Sequence, residues 1–124
     1  MMRQWISRVQ FESWIAAAVA ALPASLRGKL DNVAFVLEED STSYLGLYHG
    51  IPKPQRTLAD SGVLPDKITI YRRPIERQAK TAGELPELVR LVVWHEIGHH
   101  FGFSERRIRQ LELRWQRRVT SPQK

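Results

Sequence analysis

Leu88, Val92, His95, His99 and Gly102 recur at steps of four, three, four and three, the spacing that lines residues along one face of an α-helix. The surrounding segment, LVRLVVWHEIGHHFGFSE, opens apolar and closes crowded with ionisable groups, and three of the chain's four histidines lie in it. Two histidines and a glutamate are costly to bury in an apolar helix unless the fold gives them partners or a task. Pro86 suits an early position of this helix, and Gly102 suits its end in a left-handed conformation. Ser104 can then cap a further helix whose buried side is marked by Ile108, Leu111 and Trp115. Trp94 and Phe101 read as core residues, and Gly98 as the point where the helix packs closely on a sheet.

The rest of the chain supplies the elements that such a helix needs. A first amphipathic helix is expected over residues 8 to 22, from the recurrence of Phe11, Ile15, Ala18 and Leu22, with a short new turn in PASLRG that Gly28 ends. NVAFVLEE (32 to 39) reads as a central strand and YLGLYHG (44 to 50) as a second, the two pairing through the polar loop at 39 to 43. The stretch from 51 to 66 holds three prolines and one glycine and reads as a surface loop long enough to carry function. KITIYRR (67 to 73) alternates like a strand, and Pro74 can occupy the first turn of a helix running to about Lys80.

With 124 residues the chain makes one domain, residues 1 to 124, with a modest core and a disordered tail at 120 to 124. Its 43% hydrophobic and 26% charged composition is that of a globular protein. The run WIAAAVAAL behind Arg3 and Arg8 has the look of a signal peptide, but Glu12 at its edge and Pro23 at the cleavage position argue for a helix instead. That run is too short to span a membrane. Absence of cysteine excludes disulfides and thiolate ligands and fits the cytoplasm. The net charge of +6 permits an anionic partner, yet the arginines at 72, 73 and 77 and from 106 to 118 are not interleaved with aromatics as a nucleic-acid groove requires. They read as solvated faces, and nucleic acid is not expected as a partner.

His95 and His99, one turn apart, can aim two imidazole nitrogens at a single point, and Glu96 lies about 100° around the helix, within reach of a water there. This is the H-E-x-x-H spacing. Zinc held by neutral ligands lowers the pKa of water toward about 7, and a glutamate can take the proton as that water attacks a polarised carbonyl. A third ligand must be a carboxylate, because no histidine follows His100 and only Glu105 and Glu112 remain. Glu105 is favoured over Glu112, since a glycine turn at Gly102 returns the chain most directly at residue 105. The expectation is one zinc per chain.

The segments SGVLPDKITIYRRPIE, LVRLVVWHEIGHHFGFSE and RGKLDNVAFVLEE together resemble the minimal zincin family of small metallopeptidases, whose motif is HExxHxxGxxD. The resemblance covers roughly residues 8 to 112. It implies a compact α+β, minimal zincin-like fold with a small mixed sheet packed against the motif helix and helices at both ends. By position it implies zinc ligands His95, His99 and Glu105, with Glu96 as general base. Glu105 stands where the family pattern has aspartate, so its reach differs. The metzincin pattern is also similar but uses a third histidine and a methionine turn, whereas Met1 and Met2 both precede the motif here.

His100 points about 100° away from His99 and reads as a supporting or packing residue. His49 reads as an exposed hairpin histidine, and Tyr71 and Arg72 as candidate oxyanion stabilisers. The favoured function is a zinc metallopeptidase acting on a peptide or protein substrate, and the alternative is a zinc-stabilised binding or regulatory module. The small size, which leaves little material for a second cleft wall, favours the module; Glu96, which a purely structural site does not need, favours the enzyme.

Overall fold

The structure, a computed structural model, describes residues 6–41, 43–52, 54 and 65–120. Most of the 51 to 66 loop, and the expected tail beyond residue 120, lie outside the described residues. Helix α1 (Arg8–Ala20) begins where Ser7 accepts a hydrogen bond from the Gln10 N–H, and it buries Phe11, Ile15 and Ala18. A single turn, α2 (Ala24–Arg27), follows Pro23. Three strands come next, β1 (Val33–Glu38), β2 (Gly46–His49) and β3 (Asp66–Tyr71). Helix α3 (Arg72–Gln78) grows directly from β3 with Pro74 in its first turn, where a missing N–H costs nothing. A 3-10 turn (Ala82–Glu84) leads into α4 (Leu85–His100), and α5 (Glu105–Thr120) ends the described chain. The class is α+β, as expected.

The sheet differs from the expected hairpin. Its order is β1-β3-β2, with β1 parallel and β2 antiparallel to β3, so the strands read at 32 to 39 and 44 to 50 never pair. Burial explains the outcome. Ile68, Thr69 and Ile70 are all buried, so β3 is covered on both faces, whereas β1 and β2 are mostly half-buried and tolerate an edge. Register sets Phe35 and Leu37 beside Ile68 and Ile70, and Tyr48 and Gly46 on their other side. One apolar face results.

Helix α4 packs against α1, β2, β3 and α5. Its residues Val89, Val93, Trp94 and Ile97 are fully buried together with Phe11, Ile68, Ile70 and Leu85. Each such side chain contributes about 1.5–3 kcal/mol of burial. Trp94 fixes the helix on two sides, because its indole N–H donates to the Ala18 carbonyl at 2.8 Å and its ring meets Trp115 edge to face at 5.6 Å. Gly98 faces α5 and not the sheet: a Cβ there would lie 2.5 Å from Ile108 Cγ1. No helix among the described residues is long and apolar enough to cross a membrane.

The C-terminal end of α4 is tied to the sheet by a buried polar cluster. His100 is wholly buried, and its Nδ1 lies 2.8 Å from Asp66 Oδ2. The same oxygen accepts the Tyr48 hydroxyl at 2.6 Å. Gly50 makes room, since a Cβ at that position would sit 2.5 Å from the Asp66 carboxylate. The end of β2, the start of β3 and the end of α4 thus meet at one side chain. Asp66→Ala would take away the carboxylate that meets the wholly buried His100 and the half-buried Tyr48, and should cost about 3–5 kcal/mol in denaturant unfolding, against about 1 kcal/mol for Tyr48→Phe. A larger loss for Tyr48→Phe would move the centre of the cluster to the hydroxyl. Gly98→Val should overpack the α4–α5 contact and lower stability by about 1–3 kcal/mol in the same measurement, and an unchanged melting point would show that Ile108 can yield.

Candidate metal centre

Helix α4 holds His95 and His99 on one side, their rings 5.0 Å apart between centroids at 74° to each other. Both are about one-third exposed, at 36% and 33% of the side chain, so they look outward from a buried helix. The helix then stops through a pair of hydrogen bonds, Phe103 N–H to the Gly98 carbonyl at 3.0 Å and Gly102 N–H to the His99 carbonyl at 2.9 Å. That pairing is the Schellman end, and it needs the left-handed residue that Gly102 supplies at φ +79°. Ser104 caps the next helix by accepting the Arg107 N–H at 3.1 Å.

Glu105, the first residue of α5, is therefore turned back onto the histidines. Its Oε1 lies 3.3 Å from His95 Nε2 and its Oε2 lies 3.1 Å from His99 Nε2. Ligand atoms bound tetrahedrally to zinc at about 2.0–2.2 Å stand roughly 3.3–3.6 Å from one another, a spacing that the 3.3 Å separation meets and the 3.1 Å one nearly reaches. Two imidazoles and a carboxylate, with no thiolate, form a donor set that zinc accepts. His95, Glu96 and His99 also each offer a ligand atom within 4.8 Å of the others, the arrangement expected of a group that can hold a metal ion.

Glu112 lies on the other side of His95, its Oε2 3.2 Å from Nδ1. Of the two carboxylates open in the sequence, Glu105 is the one that faces both histidines. The Glu112 hydrogen bond, assisted by the charges of Glu105 and Glu96, raises the pKa of His95 against the opposing effect of burial. Glu96 is buried, at 8% exposure, and that burial raises its carboxyl pKa, while the charges of the two histidines and a hydrogen bond from the Tyr48 backbone act the other way. Gly46 of β2 runs close beside it, since a Cβ there would lie 3.3 Å from Glu96 Cγ and 2.7 Å from Val92 Cγ1.

The other candidates fall elsewhere. His100 is the buried partner of Asp66, and His49 is exposed at the end of β2. Arg72 is engaged with Glu76 at 3.4 Å, Glu39 at 3.5 Å and the Ile6 carbonyl, and it covers the Phe11 ring. It fastens the start of α1 to α3 and is not directed at the histidines. Tyr71 is half-buried opposite Glu38, with its backbone N–H on the Leu45 carbonyl. Sequence reasoning missed the contacts of Gly46 and the Tyr48 backbone with Glu96, which depend on β2 closing over α4 and leave no local signal. The contact of Glu112 with His95 did leave one, because residues 105 and 112 stand two helical turns apart and share a face.

No curated protein shows significant similarity to the chain. The family model of zincin-like metallopeptidases matches residues 28–115, a span that holds the sheet, α4 and both glutamates of α5 that touch the histidines, and the chain belongs to that family.

Proposed function

We propose that the protein is a zinc-dependent peptidase that holds one zinc ion through His95, His99 and Glu105 and uses Glu96 as general base. The observation that carries this reading is the Glu105 carboxylate spanning the Nε2 atoms of both histidines, with the buried Glu96 beside them. Zinc at such a site supplies Lewis acidity, which makes water more acidic and a peptide carbonyl more electrophilic. The chain's own residues then manage the proton. Glu96 takes it from the attacking water and can return it to the departing amine. Its burial raises its basicity, and Gly46, which lacks a side chain, lets β2 run close beside it. The substrate class is a peptide or protein segment, and the cysteine-free composition suits work in the cytoplasm.

A zinc-stabilised binding module is the second reading, favoured by the same geometry seen differently. A metal joining His95 and His99 of α4 to Glu105 of α5 would staple the two helices together, a structural task needing no base. Glu96 separates the readings.

Elemental analysis of purified protein should find one zinc per chain in wild type and none in His99→Ala, with Glu105→Ala much weakened and no metal in any of them counting against the site. Glu96→Gln should keep both zinc and fold and lose about two to four orders of magnitude of chelator-sensitive cleavage across a peptide library. Unchanged cleavage would remove Glu96 from the mechanism. Absence of cleavage by zinc-loaded wild type would leave the binding module as the function.

A further inference from the structure

We infer that Glu112 is a positioning residue that acts through His95, orienting its imidazole for the metal without touching the metal itself. The inference rests on the metal-site reading above and adds a role to a residue outside the ligand set. His95 presents its two ring nitrogens to two carboxylates of one helix, Nε2 to Glu105 at 3.3 Å and Nδ1 to Glu112 at 3.2 Å. An imidazole cannot turn both nitrogens toward the same ion. With Nε2 on the side of His99 and Glu105, Nδ1 is left to donate its hydrogen, and the acceptor in reach is Glu112. That bond selects the tautomer whose Nε2 lone pair is open, sets the plane of the ring and increases its electron density.

The two glutamates differ in the way this division requires. Glu105 is 59% exposed and stands at the open end of α5, whereas Glu112 is 19% exposed and lies between the buried anchors Leu111 and Trp115. Trp115 packs edge to face on Trp94, the residue before His95. The carboxylate of Glu112 is thereby fixed relative to the backbone that carries the ligand, which an exposed, mobile glutamate would not be. Among the described residues His99 has no carboxylate at Nδ1, so the orienting contact falls to His95 alone.

The test is zinc affinity, measured by chelator competition on the whole chain, together with the nitrogen-bound proton signals of the histidine rings in the zinc-loaded protein. Glu112→Leu should keep the fold and weaken zinc by about 10–100-fold, the usual effect of removing such a partner. Its His95 Nδ1–H signal should lose the position of a hydrogen-bonded proton. Glu112→Gln, which still offers an acceptor oxygen, should recover most of the affinity and keep the proton bonded. Affinity of Glu112→Leu within about twofold of wild type would overturn the inference. So would a loss as complete as that of His95→Ala, since Glu112 would then be a ligand. If Glu112→Leu does not fold, Glu112→Gln decides: the Nδ1–H signal must shift as the acceptor changes from carboxylate to amide, and an unmoved signal refutes the contact. Zinc binding by His95→Ala equal to wild type would instead bring down the metal site itself, a result distinct from failure at Glu112 alone.

Discussion

The reversal of the chain between Ile97 and Ser104 is the feature on which the candidate centre depends. A histidine pair on a helix is half a metal site, and the other half has to come from a group that approaches the open face of that helix from outside. Gly102 at φ +79° lets α4 end and α5 begin within four residues, so that Glu105 faces both His95 and His99. A residue with a Cβ at that position would carry a strain of about 1–2 kcal/mol, and here its Cβ would also lie 2.7 Å from Pro54 Cδ. Glycine is needed for the backbone and for the space above it.

That turn would have little value if α4 could shift. The helix is fixed along its length by contacts of different kinds: Trp94 to the Ala18 carbonyl and to Trp115 in the middle, and His100 to Asp66 at its end. The three histidines of the segment therefore divide by direction. His95 and His99 look out between α4 and α5, while His100, one residue further around, looks into the protein and holds the helix to β2 and β3. The arginines at 72, 73 and 77 play a comparable part at the other end of the molecule, where ion pairs of Arg72 and Arg73 with Glu39 and of Arg77 with Asp40 join α3 to the segment after β1. The exposed pairs, those of Arg73 and Arg77, are worth little singly, about 0–1 kcal/mol each.

What could be read from the sequence was what is encoded locally. The phase of His95 and His99, the glycine stop, the Ser104 cap and the burial of Ile108, Leu111 and Trp115 all follow from spacing within one or two helices, and the structure holds each of them. The pairing of β1 with β3 could not be read in that way. Proximity in sequence favours a β1–β2 hairpin, and only the comparative burial of three strands, a property of the assembled core, places β3 in the middle. Asp66 and Gly98 show the same limit. An aspartate at the start of a strand gives no sign that it will meet a histidine 34 positions later, and a helical glycine does not say whether sheet or helix will press against it.

Glu96 is the residue whose cost most needs a reason. Its carboxylate is nearly enclosed, beside a strand that approaches closely only because Gly46 lacks a side chain, and burial alone disfavours its charged form. A helix-stapling zinc would be served as well by an apolar residue here, which would pack against Val92 and Gly46 without any desolvation penalty. Glu105 and Glu112, by contrast, each have an imidazole nitrogen within hydrogen-bonding distance. Glu96 is held next to both histidines, and no ring nitrogen is needed to place it. On the proposal that Glu96 is the general base, an acid kept at such a place at an energetic loss has a reason that a purely structural site would not supply.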